Sequence, residues 1–265
     1  MIGNKYILDG KLIDVNTQSE NIEIKNSTVV YEVFTWENDR AIFFDEHYQR
    51  FLRSLEFKNF DRSNIPSKDE LLVEVEKLAL ANKFEKKNIR IDLIFTTSKL
   101  QHYLIYFVKS IFPTQEQYKN GVEVGLCFGE RENPKAKIAN SEIRGKANKK
   151  IKEEKLFEVL LVNRKNEITE GSRSNVFFVK GNTIYTPKSE GVLSGITRQK
   201  VFEIASKLNV EVVETDILLS ELSSYESAFI TSTSMVVLPI CCVDNVEFSV
   251  GNKLVENLYS EFFNH

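Results

Sequence analysis

A carboxylate and several small hydroxyls crowd the mouth of an apolar run in EITEGSRSNVFFVKG, residues 167–181. Glu170, Gly171, Ser172, Arg173, Ser174 and Asn175 lead straight into Val176, Phe177, Phe178 and Val179, which read as a buried strand. A surface turn accounts for this run. So does a site that grips a charged group. Further along, SGITRQKVF sets Gly195, Ile196 and Thr197 at the start of an amphipathic helix. A helix N-terminus presents free N–H groups and a positive dipole end, so it can take a phosphate. The same residues also make a plain cap. The TSTS run at 231–234 adds hydroxyls and amides between two strands, and Arg50 adds a guanidinium fork on an early helix.

The bulk composition removes several classes of function. The 35 basic and 38 acidic residues leave a net charge of -3, without the basic footprint of a general nucleic-acid binder. The lysines at 146, 149, 150 and 152 stand beside Glu153 and Glu154 on a helix-like segment and read as a solvated face. Cys127, Cys241 and Cys242 offer no C-x-x-C pair, and His47, His102 and His265 form no metal-binding pattern. No metal is expected. The N-terminus lacks the apolar stretch of a signal peptide, and no apolar run is long enough to span a bilayer. A soluble, cytoplasmic protein with reduced thiols is expected, with no membrane or nucleic-acid partner.

The elements that must position these groups follow from periodicity. A hairpin is predicted around Asp9-Gly10, and a second from VVYEVFTW to RAIFF with its turn at Glu37-Asn38-Asp39. DEHYQRFLRSLEF reads as a helix with Asp45 as N-cap, and SKDELLVEVEKLALANK as another with Ser67 and Glu70 spaced as a capping box. NIRIDLIF and HYLIYFV are strands. The Pro-containing, polar segment 110–121 reads as a linker. Beyond it, VEVGLCF, FEVLLV, NVFFV and SAFITSTSMVVLPICCV read as strands, and about 141–155, GITRQKVFEIASKLNV and KLVENLYSEFF as helices. The fold class is α+β, with domains at 1–112 and 121–265 joined by a linker at 113–120.

The order of the pieces is more specific than any one of them. The chain carries YEV in an early strand, EHYQR after it, K-x-x-N at 137–140, then EVLLVNRKNEITEGSRSNVFFV, GVLSGITRQKV and AFITSTSMVVLPI. In this order they closely resemble the class IV (fold-type IV) aminotransferases, which use pyridoxal 5'-phosphate. That family includes branched-chain and D-amino acid aminotransferases and aminodeoxychorismate lyases. The resemblance runs from about 31 to 244 and is strongest between Glu158 and Arg198. It implies a small N-terminal α/β domain, a larger β-barrel-like C-terminal α/β domain, a site in the cleft between them, and a homodimer.

Carried over residue by residue, the resemblance assigns roles. Lys137 matches the lysine that forms the Schiff base with the cofactor, ahead of Lys135, because 137–158 lies on the family pattern without a gap. Such a lysine must be neutral to attack, which a partly buried site beside other cations favours. Glu170 matches the carboxylate that pairs with the pyridine nitrogen. Arg50, Ile196, Thr197 and Thr233 match the phosphate cradle. Tyr31 matches an aromatic on the substrate side, and Thr233 and Ser234 a turn whose amides bind the substrate carboxylate. The implied substrates are an amino acid and a 2-oxo acid, and the implied reaction is amino-group transfer. A lyase releasing pyruvate, or a cofactor binder without transaminase activity, are the alternatives.

The chain also departs from the pattern. NSTVVYEV lacks a Gly-rich approach to its strand. D-amino acid members carry an Arg-x-His carboxylate trap on the strand that here reads NIRIDLIFTTSK, and no Arg-Gly follows that strand, which disfavours a D-amino acid substrate. Glu142 stands where branched-chain members often place a Tyr near the cofactor's phenolic oxygen, and Val236 replaces an acidic residue after the second phosphate turn.

Overall fold

The computed structural model describes residues 1–16, 27–131, 135–139 and 142–262. Asn140 and Ser141, used above for the K-x-x-N pattern and a helix start, and Phe263 of the closing helix lie outside these residues. The chain divides into two units, Met1–Ile111 with Ala136–Ala139, and Phe112–Lys135 with Asn140–His265. Mixed helices and sheets make an α+β fold.

The first unit contains β1 (Ile2–Leu8), β2 (Lys11–Asp14), β3 (Thr28–Glu37), β4 (Arg40–Ala41), α1 (Phe44–Phe57), α2 (Lys68–Asn82), β5 (Lys86–Thr96) and β6 (Lys99–Val108). Its antiparallel sheet runs β2-β1-β6-β5-β3-β4. Asp9 and Gly10 both take positive φ, the conformation a two-residue hairpin turn requires. Period-two alternation puts Val30, Glu32 and Phe34 of β3 opposite Leu93, Ile91 and Ile89 of β5. This face packs on Phe51 and Leu55 of α1 and Leu71, Val75 and Leu78 of α2. Glu32 therefore stands in an apolar layer.

Local chemistry explains the ends of these elements. The capping box forms: Ser67 Oγ accepts from Glu70 N, and Ser67 N donates to the Glu70 carboxylate. Asp45 is not the N-cap of α1. Phe43, in a left-handed conformation (φ 53°), precedes the helix, and Asp45 sits in its first turn. The second hairpin turns at Asn38-Asp39 alone, because Glu37 still pairs with Arg40. Residues 136–139 run along the edge of β3: Tyr31 N donates to Lys137 O and Ala139 N to Val29 O, each at 3.0 Å.

The second unit opens with α3 (Gln115–Asn120), so the segment read as a linker contains a capped helix. Thr114 and Gln117 form its capping box. Then come β7 (Val122–Phe128), α4 (Glu142–Glu154), β8 (Glu158–Val162), β9 (Glu167–Gly171), β10 (Asn175–Lys180), β11 (Thr183–Pro187) and α5 (Ile196–Lys207). The chain continues through β12 (Glu211–Thr215), β13 (Ile217–Leu218), β14 (Ser227–Ser232), β15 (Val236–Val243), β16 (Val246–Glu247) and α6 (Lys253–Phe262).

The sheet order is β12-β11-β10-β14-β15-β7-β8-β9-β13, with β16 beside β15. Its end strands β12 and β13 are joined by one residue, Asp216, so the sheet must curl back on itself. Both faces are covered. Val176 and Phe178 of β10 enter one core with Leu160, Ile168 and Ile230, while Phe177 and Val179 meet α5 and α6 on the other. A strand buried on both sides reads as a continuous apolar run, and NVFFV does. α4 lays Ile143 and Ala147 over Cys127, Val159 and Leu161.

Candidate active site

In the first unit the chemistry gathers around a buried carboxylate. Glu32 is 2% exposed. Arg50 Nε donates to its Oε1 at 2.8 Å and Arg50 Nη2 to its Oε2 at 2.6 Å. His47 Nδ1 lies 2.8 Å from Oε2, and Lys137 Nζ 3.8 Å from the same oxygen. Helix geometry explains the grouping, since His47 and Arg50 are three residues apart on α1 and share a face. Burial would raise the Glu32 pKa, but the charges of Arg50 and Lys137 and the hydrogen bonds from Arg50 and His47 hold it far below the usual carboxylate range. Burial pushes the His47 imidazole down to about 4, against the pull of Glu32. His47 is thus neutral near pH 7, with its proton on Nδ1 to donate to Glu32.

Lys137 is fixed by more than its edge position on β3. Its N–H donates to Ser54 Oγ, which donates to Arg50 O. Its side chain is 13% exposed, and its amine lies 5.4 Å from the centre of the Tyr31 ring. Arg90 covers the same ring at 4.2 Å and pairs with Asp92. By contrast, Lys135 is exposed, and the exposed Lys146 pairs with Glu142 on α4. Glu142 itself is solvent-exposed there.

The second unit builds around Glu170. Glu170 does not lie in a surface turn: it belongs to β9 and is 3% exposed. Leu193 N donates to its Oε2 at 3.1 Å, whereas its Oε1 has no hydrogen-bond partner. Burial raises its pKa, opposed first by the charge of Arg131. The tight turn that follows requires Gly171, because a Cβ there would come 1.9 Å from Ser174 Oγ. Buried Glu158 organises this turn, accepting from Ser172 Oγ at 2.6 Å, Arg173 N at 3.1 Å and Ser174 Oγ at 3.2 Å.

Asn175 ties this turn to the start of α5 by donating from Nδ2 to Leu193 O at 2.9 Å. α5 starts at Ile196, with no side-chain cap on Gly195 and no acidic residue in its first turn. Ile196 and Thr197 are buried. Thr233 and Ser234 lie in the turn between β14 and β15, ahead of Val236 at φ 56°. On the neighbouring strand end, Thr231 Oγ1 is buried without a hydrogen-bond partner.

The approach at Gly195 is testable. A Cβ there would come 2.1 Å from Asn175 Oδ1. Gly195→Ala should cost about 1–3 kcal/mol by forcing Asn175 off Leu193. Gly191→Ala, where a Cβ meets open space, should leave the urea midpoint unchanged. Equal midpoints for both variants would refute the clamp.

Sequence reading named Lys137, Tyr31, Arg50, Glu170, Ile196, Thr197, Thr233 and Ser234. The first unit brings Arg50 and Lys137 together around Glu32 and sets the Lys137 amine 5.4 Å from the Tyr31 ring centre, and the second places Glu170 against the loop that enters α5. Glu32, His47, Arg131, Glu158 and Asn175 were not foreseen. The signal for Glu32 was available, because it is a carboxylate two residues from both Val30 and Phe34 on a core-facing strand.

Among the described residues no group of three or more His, Cys, Asp or Glu is placed to hold a metal ion, and no helix is long and apolar enough to cross a membrane. Comparison with known proteins places the chain. A D-alanine aminotransferase of Listeria monocytogenes is 25% identical over 268 residues, covering 94% of this chain and 91% of the relative. The crystal structure of a putative branched-chain amino acid aminotransferase from Thermotoga maritima superposes with a TM-score of 0.81 at 27% identity, covering 97% and 94% of the two chains. A putative 4-amino-4-deoxychorismate lyase from Legionella pneumophila shares the fold, with a TM-score of 0.81 at 18% identity and coverage of 94% and 96%. The family model for amino-transferase class IV matches residues 29–243, a span that holds every site residue described above. The chain belongs to this family of pyridoxal-phosphate-dependent enzymes.

Proposed function

We propose that this protein moves an amino group from an amino acid to a 2-oxo acid, with Lys137 taking and returning the proton at the reacting carbon. The observation that carries the reading is the setting of the Lys137 amine, mostly enclosed beside buried Glu32 and the Tyr31 ring. The residues fit pyridoxal phosphate. Glu170 Oε1 is a buried acceptor lacking a donor, which a protonated ring nitrogen would supply. The uncapped start of α5 offers N–H groups to a phosphate. When bound, the cofactor supplies an electron-accepting ring that lets the substrate's α-carbon lose a proton.

The roles of the other residues follow. Ile196, Thr197, Thr233 and Arg50 would hold the phosphate, the guanidinium of Arg50 being fixed in place by its two hydrogen bonds to Glu32. Tyr31 would line the substrate side, with the Thr233 and Ser234 amides on the substrate carboxylate. Branched-chain amino acids stand first among donors. Neither β5 (KKNIRIDLIFT) nor β6 (KLQHYLIYFV) carries an Arg-x-His trap. The homodimer is part of this proposal, and a single monomeric species in sedimentation would count against it.

The test is to supply amino acids, including leucine and D-alanine, with 2-oxoglutarate and measure glutamate. Glutamate from the branched-chain set is expected. No glutamate from any donor, with pyruvate released from aminodeoxychorismate, would replace the transferase by the lyase. Borohydride reduction with pyridoxal phosphate should label Lys137; label on Lys135 or Lys146 would overturn the assignment.

A further inference from the structure

Arg131 is an arginine that the mechanism above does not use. Its side chain is 15% exposed, and its Nη1 lies 3.4 Å from Glu170 Oε1. Neither atom has a hydrogen-bond partner, and both are enclosed. The separation exceeds that of a charge-assisted hydrogen bond, so Oε1 feels the guanidinium's charge yet keeps its lone pairs for another donor. The opposite oxygen, Oε2, is pinned by Leu193 N. Among the described residues, Arg144 also favours its anion and donates to Ser172 O, and Glu158 opposes it. Arg131 ranks ahead of Arg144 among the cations.

We propose that Arg131 is a positioning residue for Glu170: lying 3.4 Å from Oε1, it favours the anion of this carboxylate and aims it before the cofactor arrives, so that the pyridine nitrogen meets a better-prepared acceptor. The inference rests on the cofactor assignment of Glu170 given above. The physical need is plain. A buried carboxylate without a cation tends to take up a proton, because burial disfavours the charged form. A protonated Glu170 could no longer pair with a protonated ring nitrogen without first losing its proton. Arg131 makes that step less costly while leaving Oε1 open. An arginine suits the task because it stays charged at every working pH.

The experiment compares wild type, Arg131→Met, Arg131→Lys and Arg131→Met/Glu170→Gln. Pyridoxal phosphate affinity is measured by equilibrium titration from pH 6 to pH 8, and thermal stability of the cofactor-free protein over the same range. In Arg131→Met the Glu170 pKa rises further, so affinity should fall by about tenfold for each pH unit below it. Wild type should stay closer to flat, and Arg131→Lys should recover most of the difference.

The melting curve carries the same signature without cofactor. A carboxyl whose folded pKa is raised loses stability as pH rises from its unfolded value to its folded one. Arg131→Met should extend that loss toward neutral pH, and the added Glu170→Gln should abolish it. If Arg131→Met matches wild type at every pH, or weakens binding by one constant factor with no change in the melting profile, the proposal is wrong. If wild type takes up no cofactor, the functional assignment of Glu170 fails, while the melting profiles still decide whether Arg131 controls its charge.

Discussion

Lys137→Ala should abolish amino transfer and leave a folded protein. The substitution removes the only amine that the first unit places beside Tyr31 and Glu32 among its described residues. A positioned proton carrier is worth roughly 10²–10⁴ in rate, and this residue is also the proposed nucleophile, so kcat should drop by at least about 10⁴. Stability should change little. Glu32 keeps both Arg50 hydrogen bonds and that of His47, and the backbone of 136–139 stays paired with β3. Lys137→Arg separates two roles of the side chain. It preserves a cation near Glu32 but offers no neutral amine, since arginine is not deprotonated in proteins. It should be as inactive as the alanine variant, and a small primary amine should restore part of the activity only to Lys137→Ala. Activity within tenfold of wild type in either variant would remove Lys137 from the chemistry.

Much of this was legible in the sequence because strong local signals agreed with the fold. The Asp9-Gly10 turn, the Ser67-Glu70 box and the twice-buried VFFV strand each formed where the pattern placed them. What was missed had weaker or misleading local signals. Glu170 looked like part of a surface run because five polar residues follow Thr169 with only Gly171 among them. Its burial comes from the hairpin with β8 and from the Leu193 loop, and only the first of these is local. Arg131 and Glu170 are 39 positions apart, and no spacing rule links them. α3 was missed although Thr114 and Gln117 are spaced as a capping box, because Pro113 and the polar composition pointed to a linker. The expected cap at Asp45 failed because a left-handed Phe43 turns the chain into α1, a conformation that sequence does not favour for phenylalanine.

Removing Glu32 should do more damage to folding than any other single change at the site. Arg50 is 4% exposed and its Nε and Nη2 both point at this carboxylate, so Glu32→Ala leaves a buried guanidinium without its anion. Breaking one partner of such a pair costs about 3–5 kcal/mol, a large share of the 5–15 kcal/mol that holds most domains folded. The melting temperature should fall by roughly 10 °C. The ion pair need not be what stabilises the unit in absolute terms. Replacing both groups by apolar ones of similar volume, as in Glu32→Met/Arg50→Met, should recover most of the loss and remain inactive. A Glu32→Ala protein that melts with wild type would show that Arg50 finds another anion. The pH dependence gives an independent check. Glu32 is held so low that its contribution persists throughout the range above ordinary carboxylate values. His47 behaves differently, because its folded value is about 4 and its unfolded value is near 6.5. Between those limits the unfolded chain binds the proton and the folded one does not, so stability falls with acid by about 1.4 kcal/mol per pH unit. His47→Gln should flatten this slope. Since Glu32 is the group that raises the His47 pKa, Glu32→Ala should instead extend the slope below pH 4. Opposite changes from two residues 2.8 Å apart would identify one coupled cluster beside the Lys137 amine.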